Sequence, residues 1–96
     1  MIVRVVTYPA EPLDTAKEWT REHGPEVRGA PGVREAYFIS REQPAQIGAI
    51  QLFDSRADLR RYTEGDVYQR LYRSLRDRLG PETRPLTEEV YEVIEV

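Results

Sequence analysis

The sequence has no cysteine, one histidine and one methionine among its 96 residues. Without cysteine the chain can form no disulfide, no thiolate nucleophile and no sulfur-ligated metal site. One histidine offers little to an imidazole-based metal centre, so metal binding would depend on carboxylates. Gly-rich phosphate loops, Ser-His-Asp arrangements and zinc-type spacings are missing as well. We therefore predict no metal site.

Long apolar runs and a strong excess of one charge are also missing. No stretch approaches the roughly 20 apolar residues that cross a bilayer, and the first residues do not read as a secretory signal. Fourteen basic residues stand against 17 acidic ones. The resulting net charge of −3 opposes the counterion release that drives nucleic-acid binding. We expect a cytoplasmic protein that binds neither membrane nor nucleic acid.

The composition that remains is typical of a soluble globular protein, with 40% apolar and 32% charged residues. A chain of this length forms a single domain, residues 1–96, around one core. Its charges are unevenly distributed: seven arginines lie between positions 55 and 79, and five glutamates lie between positions 82 and 96. These charges either form two solvated faces or steer two subunits together.

Proline and glycine divide the chain into six segments, of which four read as strands. Residues 1–8 are rich in β-branched side chains. Residues 33–40 alternate between two faces, with Tyr37 and Phe38 on opposite sides. Residues 46–53 are apolar on both faces, and residues 87–96 form a closing strand with interspersed glutamates.

The other segments read as helices. Thr15 and Glu18 fit a capping box, which predicts a helix start there, and Gly24-Pro25 predicts a bend or break. Asp54-Ser55 predicts the start of a second helical segment, which Gly65-Asp66 resets before a longer helix. The first helix would turn inward Ala16, Trp19, Thr20, His23 and Val27, and the last one Val67, Tyr68, Leu71, Tyr72, Leu75 and Leu79.

The order strand, helix, strand, strand, helix, strand is the βαββαβ pattern of the α+β ferredoxin-like fold, with an antiparallel sheet and both helical segments on one face. The other face would stay open. Because the strands carry apolar residues at both parities, that open face would also be apolar. Burying several hundred Å² of it would drive stable self-association, so we predict a homodimer.

Two segments resemble the EthD-like branch of the dimeric α+β barrel superfamily: residues 19–25, WTREHGP, and residues 31–34, PGVR. Those proteins have a similar aromatic-x-x-x-His-x-Pro helix that leads into a Pro-Gly turn. Residues 50–55, IQLFDS, together with Leu59, look like the third strand and the following helix start of that family. The neighbouring antibiotic-biosynthesis-monooxygenase branch shares the fold.

The resemblance implies a dimer with a pocket in each subunit between helices and sheet. It also implies activity without metal or organic cofactor on aromatic, polyketide-like or lactone substrates. His23 falls on the helix histidine of the family, and Trp19 on the aromatic position one turn earlier. Tyr37 stands one residue later than the strand-two tyrosine of the family, so only a bulge would turn it into the same pocket.

Each candidate side chain has a functional and a structural interpretation. His23 has the one side chain whose ordinary pKa suits acid–base work near neutrality, yet it could equally pack beside Trp19 or cap free carbonyls. The tyrosines could hold a substrate oxygen or simply fill the core. Arg4 could bind a carboxylate, or pair with a glutamate of the closing strand or of a partner subunit. The predicted pocket contacts are Trp19, Tyr62, Tyr68, Leu71, Tyr72 and Leu75.

Two functional hypotheses follow. The first is a cofactor-independent enzyme, of isomerase, dehydratase, cyclase or monooxygenase type, that acts on a small cyclic or aromatic apolar substrate. His23 would then be the general acid–base group, and Tyr37 or another tyrosine would polarise the substrate oxygen. The second is a non-catalytic homodimer that binds a hydrophobic metabolite or serves a stress or interaction role.

Overall fold

A computed structural model describes all residues, Met1–Val96, and has a four-stranded antiparallel sheet with three helices. The strands lie in the order β2-β3-β1-β4. The predicted α+β ferredoxin-like fold is confirmed, with two helices in its second crossover. The elements are β1 Ile2–Pro9, α1 Leu13–Arg28, β2 Glu35–Glu42, β3 Ala45–Phe53, α2 Arg56–Thr63, α3 Asp66–Leu79 and β4 Thr87–Glu92.

The central strand β1 determines which side chains lie beneath the helices. It pairs with β3 and with β4, and Arg4 lies opposite Gln51 on β3. Because alternate residues of a strand share a face, Arg4 and Gln51 point to the same side of the sheet. That side is the one the helices cover, where both residues are almost fully buried.

The core between helices and sheet has two adjoining parts. One surrounds Phe53 and contains Ile2, Val27 and Leu71. The other surrounds Leu75. Trp19 and Phe38 contact both parts, so the packing is continuous along the sheet.

Helix α1 differs from the prediction at its start and at Gly24-Pro25. It begins at Leu13 after Pro12, which makes no side-chain cap, so the capping box at Thr15 is wrong. It also continues through Pro25 to Arg28, so Gly24-Pro25, where a bend or break was predicted, does not break the helix. Pro25 lies on the exposed side, where water can solvate the backbone carbonyl that loses its partner. Gly24 is buried, and a Cβ there would lie 3.2 Å from the Phe38 ring.

The later boundaries follow the sequence signals more closely. Ser55 caps α2 and its hydroxyl accepts a hydrogen bond from the Asp58 N–H, as Asp54-Ser55 predicted. Helix α3 begins directly after Gly65. β2 begins two residues later than predicted, and β4 ends at Glu92 instead of Val96.

The second face of the sheet carries no helix. Tyr37, Ile39 and Tyr91 on that face are 49%, 40% and 51% exposed. Val5 and Ile50 lie between them in the register and are partly buried. The same face also carries the exposed carboxylates of Glu35 and Glu89, so the predicted apolar open face is found only in part. None of the three helices has the length and apolar composition that crossing a membrane requires.

Candidate functional site

A cavity of about 60 Å³ lies between helices α1 and α3 and the covered face of the sheet. Sixteen residues line it and twelve of them are hydrophobic, which suits a small, largely apolar ligand. All six residues that the sequence predicted as pocket contacts line it: Trp19, Tyr62, Tyr68, Leu71, Tyr72 and Leu75. That they bind a substrate stays a prediction.

Aromatic rings form much of the cavity wall. The rings of Tyr8 and Tyr72 lie 6.1 Å apart, those of Tyr68 and Tyr72 6.3 Å apart, and those of Tyr62 and Tyr68 5.4 Å apart. The Tyr72 hydroxyl donates a hydrogen bond to the Thr83 carbonyl, at 3.1 Å. Tyr72 therefore contributes its ring to the wall while its hydroxyl proton is already engaged.

A hydrogen bond to helix α3 fixes the position of the Trp19 indole in the cavity wall. Its Nε1 donates a hydrogen bond to the Ser74 hydroxyl on α3, at 3.0 Å. This bond joins the two helices that form the cavity roof. Because the ring has few rotatable bonds and a fixed N–H partner, it forms a rigid part of the wall.

The sheet end of the cavity is polar and is centred on Arg4, which is 1% exposed. Its Nε donates to the Glu88 carboxylate at 3.0 Å, and its Nη1 donates to the Gln51 amide oxygen at 2.7 Å. Its Nη2 donates to Glu88 and, at 3.4 Å, to the Tyr68 hydroxyl. The predicted pairing of Arg4 with a glutamate of the closing strand is confirmed.

Arg4 keeps its charge in this position. Burial by itself would lower its pKa, but the hydrogen bonds that Arg4 donates to Glu88, with the electrostatic effects of Tyr68 and Glu88, raise it overall. Burial also raises the pKa of the Tyr8 hydroxyl, and that of the Tyr62 hydroxyl. The cavity thus combines a fixed cation with neutral phenols that can donate hydrogen bonds at physiological pH.

His23 lies outside the cavity lining, although its neighbour Trp19 is part of it. Its Nδ1 lies 3.0 Å from the Glu26 carboxylate and its Nε2 lies 3.8 Å from that of Glu22. Arg70 of α3 contacts the same Glu26. The imidazole therefore belongs to a charged network between α1 and α3, and its catalytic role stays a prediction.

Tyr37 lies on the open face of the sheet, away from the cavity. The pairing of β2 with β3 runs from Glu35 to Glu42 without a bulge, so alternation keeps Tyr37 on the side opposite Phe38. Its hydroxyl donates to the adjacent Glu35 at 2.7 Å. The structure does not bring Tyr37 together with His23, and a shared pocket role for the two has no geometric basis.

Sequence reasoning left out several lining residues, notably Tyr8, Gln51 and Phe38. Tyr8 lies four residues after Arg4 on β1, so the alternation of side chains along a strand places both on the same face of the sheet. This alternation could have identified Tyr8 as a lining residue. Gln51 stands out as the one polar residue on the covered face of an otherwise apolar β3. No group of three or more His, Asp or Glu side chains is placed to hold a metal ion.

Solved structures with this arrangement of elements come from several bacteria. A candidate antibiotic biosynthesis monooxygenase from Deinococcus radiodurans superposes with a TM-score of 0.78 at 14% identity, over 100% of this chain and 95% of its own. The fold is the same. An EthD family protein from Bacillus halodurans gives 0.70 at 16% identity, over 98% and 100%. SnoaB, a cofactor-independent oxygenase from Streptomyces nogalater, gives 0.69 at 11% identity, over 99% and 94%.

The resemblance seen in the sequence is thereby confirmed at the level of the fold. No protein-family model matches the sequence, and no curated protein matches it either.

Proposed function

We propose that the protein is a cofactor-independent enzyme that acts on a small, cyclic, largely apolar substrate held in the cavity between the helices and the sheet. The observation that supports this most is the cavity itself, with aromatic and aliphatic walls and hydrogen-bond donors collected at one end. A likeness of fold to a cofactor-independent oxygenase adds support. The reaction would be of isomerase, dehydratase, cyclase or monooxygenase type.

Tyrosine hydroxyls supply the polar chemistry of this proposal. The hydroxyls of Tyr62 and Tyr68 accept hydrogen bonds from Gln51 and Arg4, and their own protons have no acceptor in the protein. Proton removal beside a carbonyl places negative charge on the carbonyl oxygen, and preorganised donors lower the energy of that charge. Tyr68, polarised by the adjacent cation, is our candidate for this role.

His23 remains the candidate for moving the proton, as the one imidazole of the chain. It stands one helical turn from Trp19, and the two ring centroids are 4.9 Å apart. A direct transfer would need a substrate that reaches past the indole. His23 does not line the cavity. This observation favours the second function, a non-catalytic protein that binds a hydrophobic metabolite in the same cavity.

The homodimer belongs to both proposals. The open sheet face has Val5 and Ile50 at its centre and the exposed side chains of Tyr37, Ile39 and Tyr91 around them. A second copy of the same face would bury this apolar surface, which otherwise costs free energy in water. Every residue of β4, the edge strand next to β1, is exposed, so a second subunit can also contact that edge of the sheet.

The test follows ligand binding and turnover separately. Trp19 is the only tryptophan and lines the cavity, so quenching of its fluorescence reports binding of small cyclic ketones and phenols there. Mass spectrometry without added cofactor reports turnover. Tyr68→Phe should lower turnover about tenfold or more with the fold intact. Tyr91→Phe is the matched control, since the Tyr91 hydroxyl binds Glu89 on the open face, and it should change neither signal.

Two results would count against the enzyme. Quenching without any product across the panel would favour the binding protein, and no quenching at all would remove the cavity as a ligand site.

A further inference from the structure

The cavity has a buried arginine that the proposed function does not require. Building on that function, we infer that the natural ligand carries a carboxylate on its apolar ring, and that the Tyr8 hydroxyl binds this carboxylate beside the charge of Arg4.

The Arg4 guanidinium is the cation at the polar end of the cavity. A guanidinium has five N–H groups, with one on Nε and two on each Nη. The Nε proton binds Glu88, the Nη2 protons face Glu88 and Tyr68, and one Nη1 proton binds Gln51. The Tyr8 hydroxyl is a further hydrogen-bond partner of Arg4. Arg4 is part of the cavity lining, so its charge acts on a molecule bound beside these partners.

The hydroxyl of Tyr8 is a free donor beside the guanidinium. It accepts a hydrogen bond from Arg4, whose charge also acts on its pKa, and its own proton has no acceptor in the protein. The hydroxyl proton of Tyr68 is likewise without an acceptor. A carboxylate has two oxygens that accept such bonds, and bonds from a cation to a carboxylate are about twice as strong as neutral ones.

The charge balance of the cavity also favours an anion. Arg4 is the only charged residue in the lining, and no carboxylate lines the cavity. Its partner Glu88 lies outside the lining, and the Glu88 side chain is 46% exposed. Water screens the exposed glutamate more than the buried arginine, so the cavity end keeps a positive potential. An amine at the same place would meet a like charge.

The rest of the lining would hold the ring that carries the carboxylate. The apolar part of the lining offers only hydrocarbon surface to a ligand, and it consists of Val6, Phe38, Ile47, Leu71 and Leu75. The cavity therefore has one polar end and one apolar end, which matches a molecule built in the same way.

Three matched probes test the inference on the whole protein: benzoate, benzamide and benzylamine. They share the ring and differ in charge, and quenching of Trp19 measures their dissociation constants. We expect benzoate to bind about tenfold more tightly than benzamide, and benzylamine to bind more weakly than either. Higher salt should weaken benzoate binding only slightly, since the cation is buried.

Variants locate the site. Arg4→Met keeps a long apolar side chain and should reduce benzoate to the affinity of benzamide, whereas Arg73→Met on the exposed side of α3 should change nothing. Tyr8→Phe removes this donor, together with the hydrogen bond that the hydroxyl accepts from Arg4, and should weaken benzoate binding about threefold to tenfold. Glu88→Gln removes the carboxylate that competes with the ligand for the charge of Arg4, so benzoate should bind more tightly to this variant. The last two variants keep the test decisive if Arg4→Met does not fold.

The outcomes separate this inference from the proposed function. Equal binding of benzoate and benzamide, or benzoate binding that survives Tyr8→Phe and Glu88→Gln unchanged, would overturn the carboxylate site and leave an apolar cavity in place. Failure of all three probes, together with failure of larger neutral ring compounds, would overturn both.

Discussion

The imidazole of His23 packs against the indole of Trp19, with ring centroids 4.9 Å apart and an interplanar angle of 39°. The indole lines the cavity and the imidazole does not. His23 is therefore placed where it can hold Trp19 in position without touching a ligand. Both ring nitrogens of His23 lie toward carboxylates of its own helix, at 3.0 Å from Glu26 and 3.8 Å from Glu22.

The first prediction separates positioning by His23 from catalysis. We expect His23→Gln to lower the free energy of unfolding by about 1 kcal/mol or less, because the contacts it loses are partly exposed. Ligand affinity measured through Trp19 should stay within about threefold, because the indole keeps its bond to Ser74. Thermal melting and fluorescence titration measure the two effects. Turnover that disappears while melting and affinity stay unchanged would instead establish His23 as the acid–base group.

Much of this site could be predicted from the sequence because it depends on periodicity. The helical spacing of Tyr68, Leu71, Tyr72 and Leu75 fixes a common face of α3, and that face became a cavity wall. Alternation along β2 likewise separated Tyr37 from Phe38. The strand period of two residues and the helix period of 3.6 residues therefore predict which face each of these side chains occupies.

The polar end of the cavity depends on strand pairing, which local patterns do not contain. Arg4 and Gln51 are adjacent only because β1 pairs with β3 in one register, and Glu88 reaches them only from β4. The sequence could name a glutamate of the closing strand as a partner but not which one. The start of α1 shows a similar limit, since Pro12 permits the helix to begin before the capping signal at Thr15.

The second prediction concerns stability at alkaline pH. The folded state raises the pKa of Tyr8 above its ordinary value of 10.0 through burial. Above about pH 10 the unfolded chain has lost the Tyr8 proton while the folded chain keeps it, so the unfolded state binds fewer protons and the free energy of unfolding falls. One such group contributes a slope of up to about 1.4 kcal/mol per pH unit.

Urea denaturation at several pH values measures this slope. Tyr8→Phe should make the fall above about pH 10 shallower and leave the pH dependence near neutrality unchanged. Identical slopes for the two proteins would mean that Tyr8 titrates normally in the folded state.

The third prediction tests self-association through the open sheet face. Ile50 lies at the centre of that face, opposite Val5 and Tyr37. Ile50→Lys should yield a folded monomer, because the lysine can extend into water from a single subunit but would place a charge inside a dimer interface. Sedimentation velocity should show a dimer for the wild-type protein and half that mass for the variant.

Glu18→Gln is the control for this change, since it shifts the net charge by the same amount on the exposed side of α1. It should leave the sedimentation of the wild-type protein unchanged. A wild-type protein that sediments as a monomer at micromolar concentration would exclude the dimer.

The fourth prediction compares two glycines with different surroundings. Gly48 lies on β3 where a Cβ would collide with the Val6 carbonyl oxygen, and that oxygen belongs to the backbone of the sheet. Gly48→Ala should therefore cost about 2 kcal/mol or more, because β1 and β3 must move apart. At Gly29 after α1 a Cβ would lie 3.5 Å from the Pro25 carbonyl oxygen, at a negative φ of −89°. Gly29→Ala should leave stability unchanged or raise it by about 0.5 kcal/mol. Thermal or urea denaturation of both variants measures the difference, and equal stabilities would show that β3 can shift against β1 without cost.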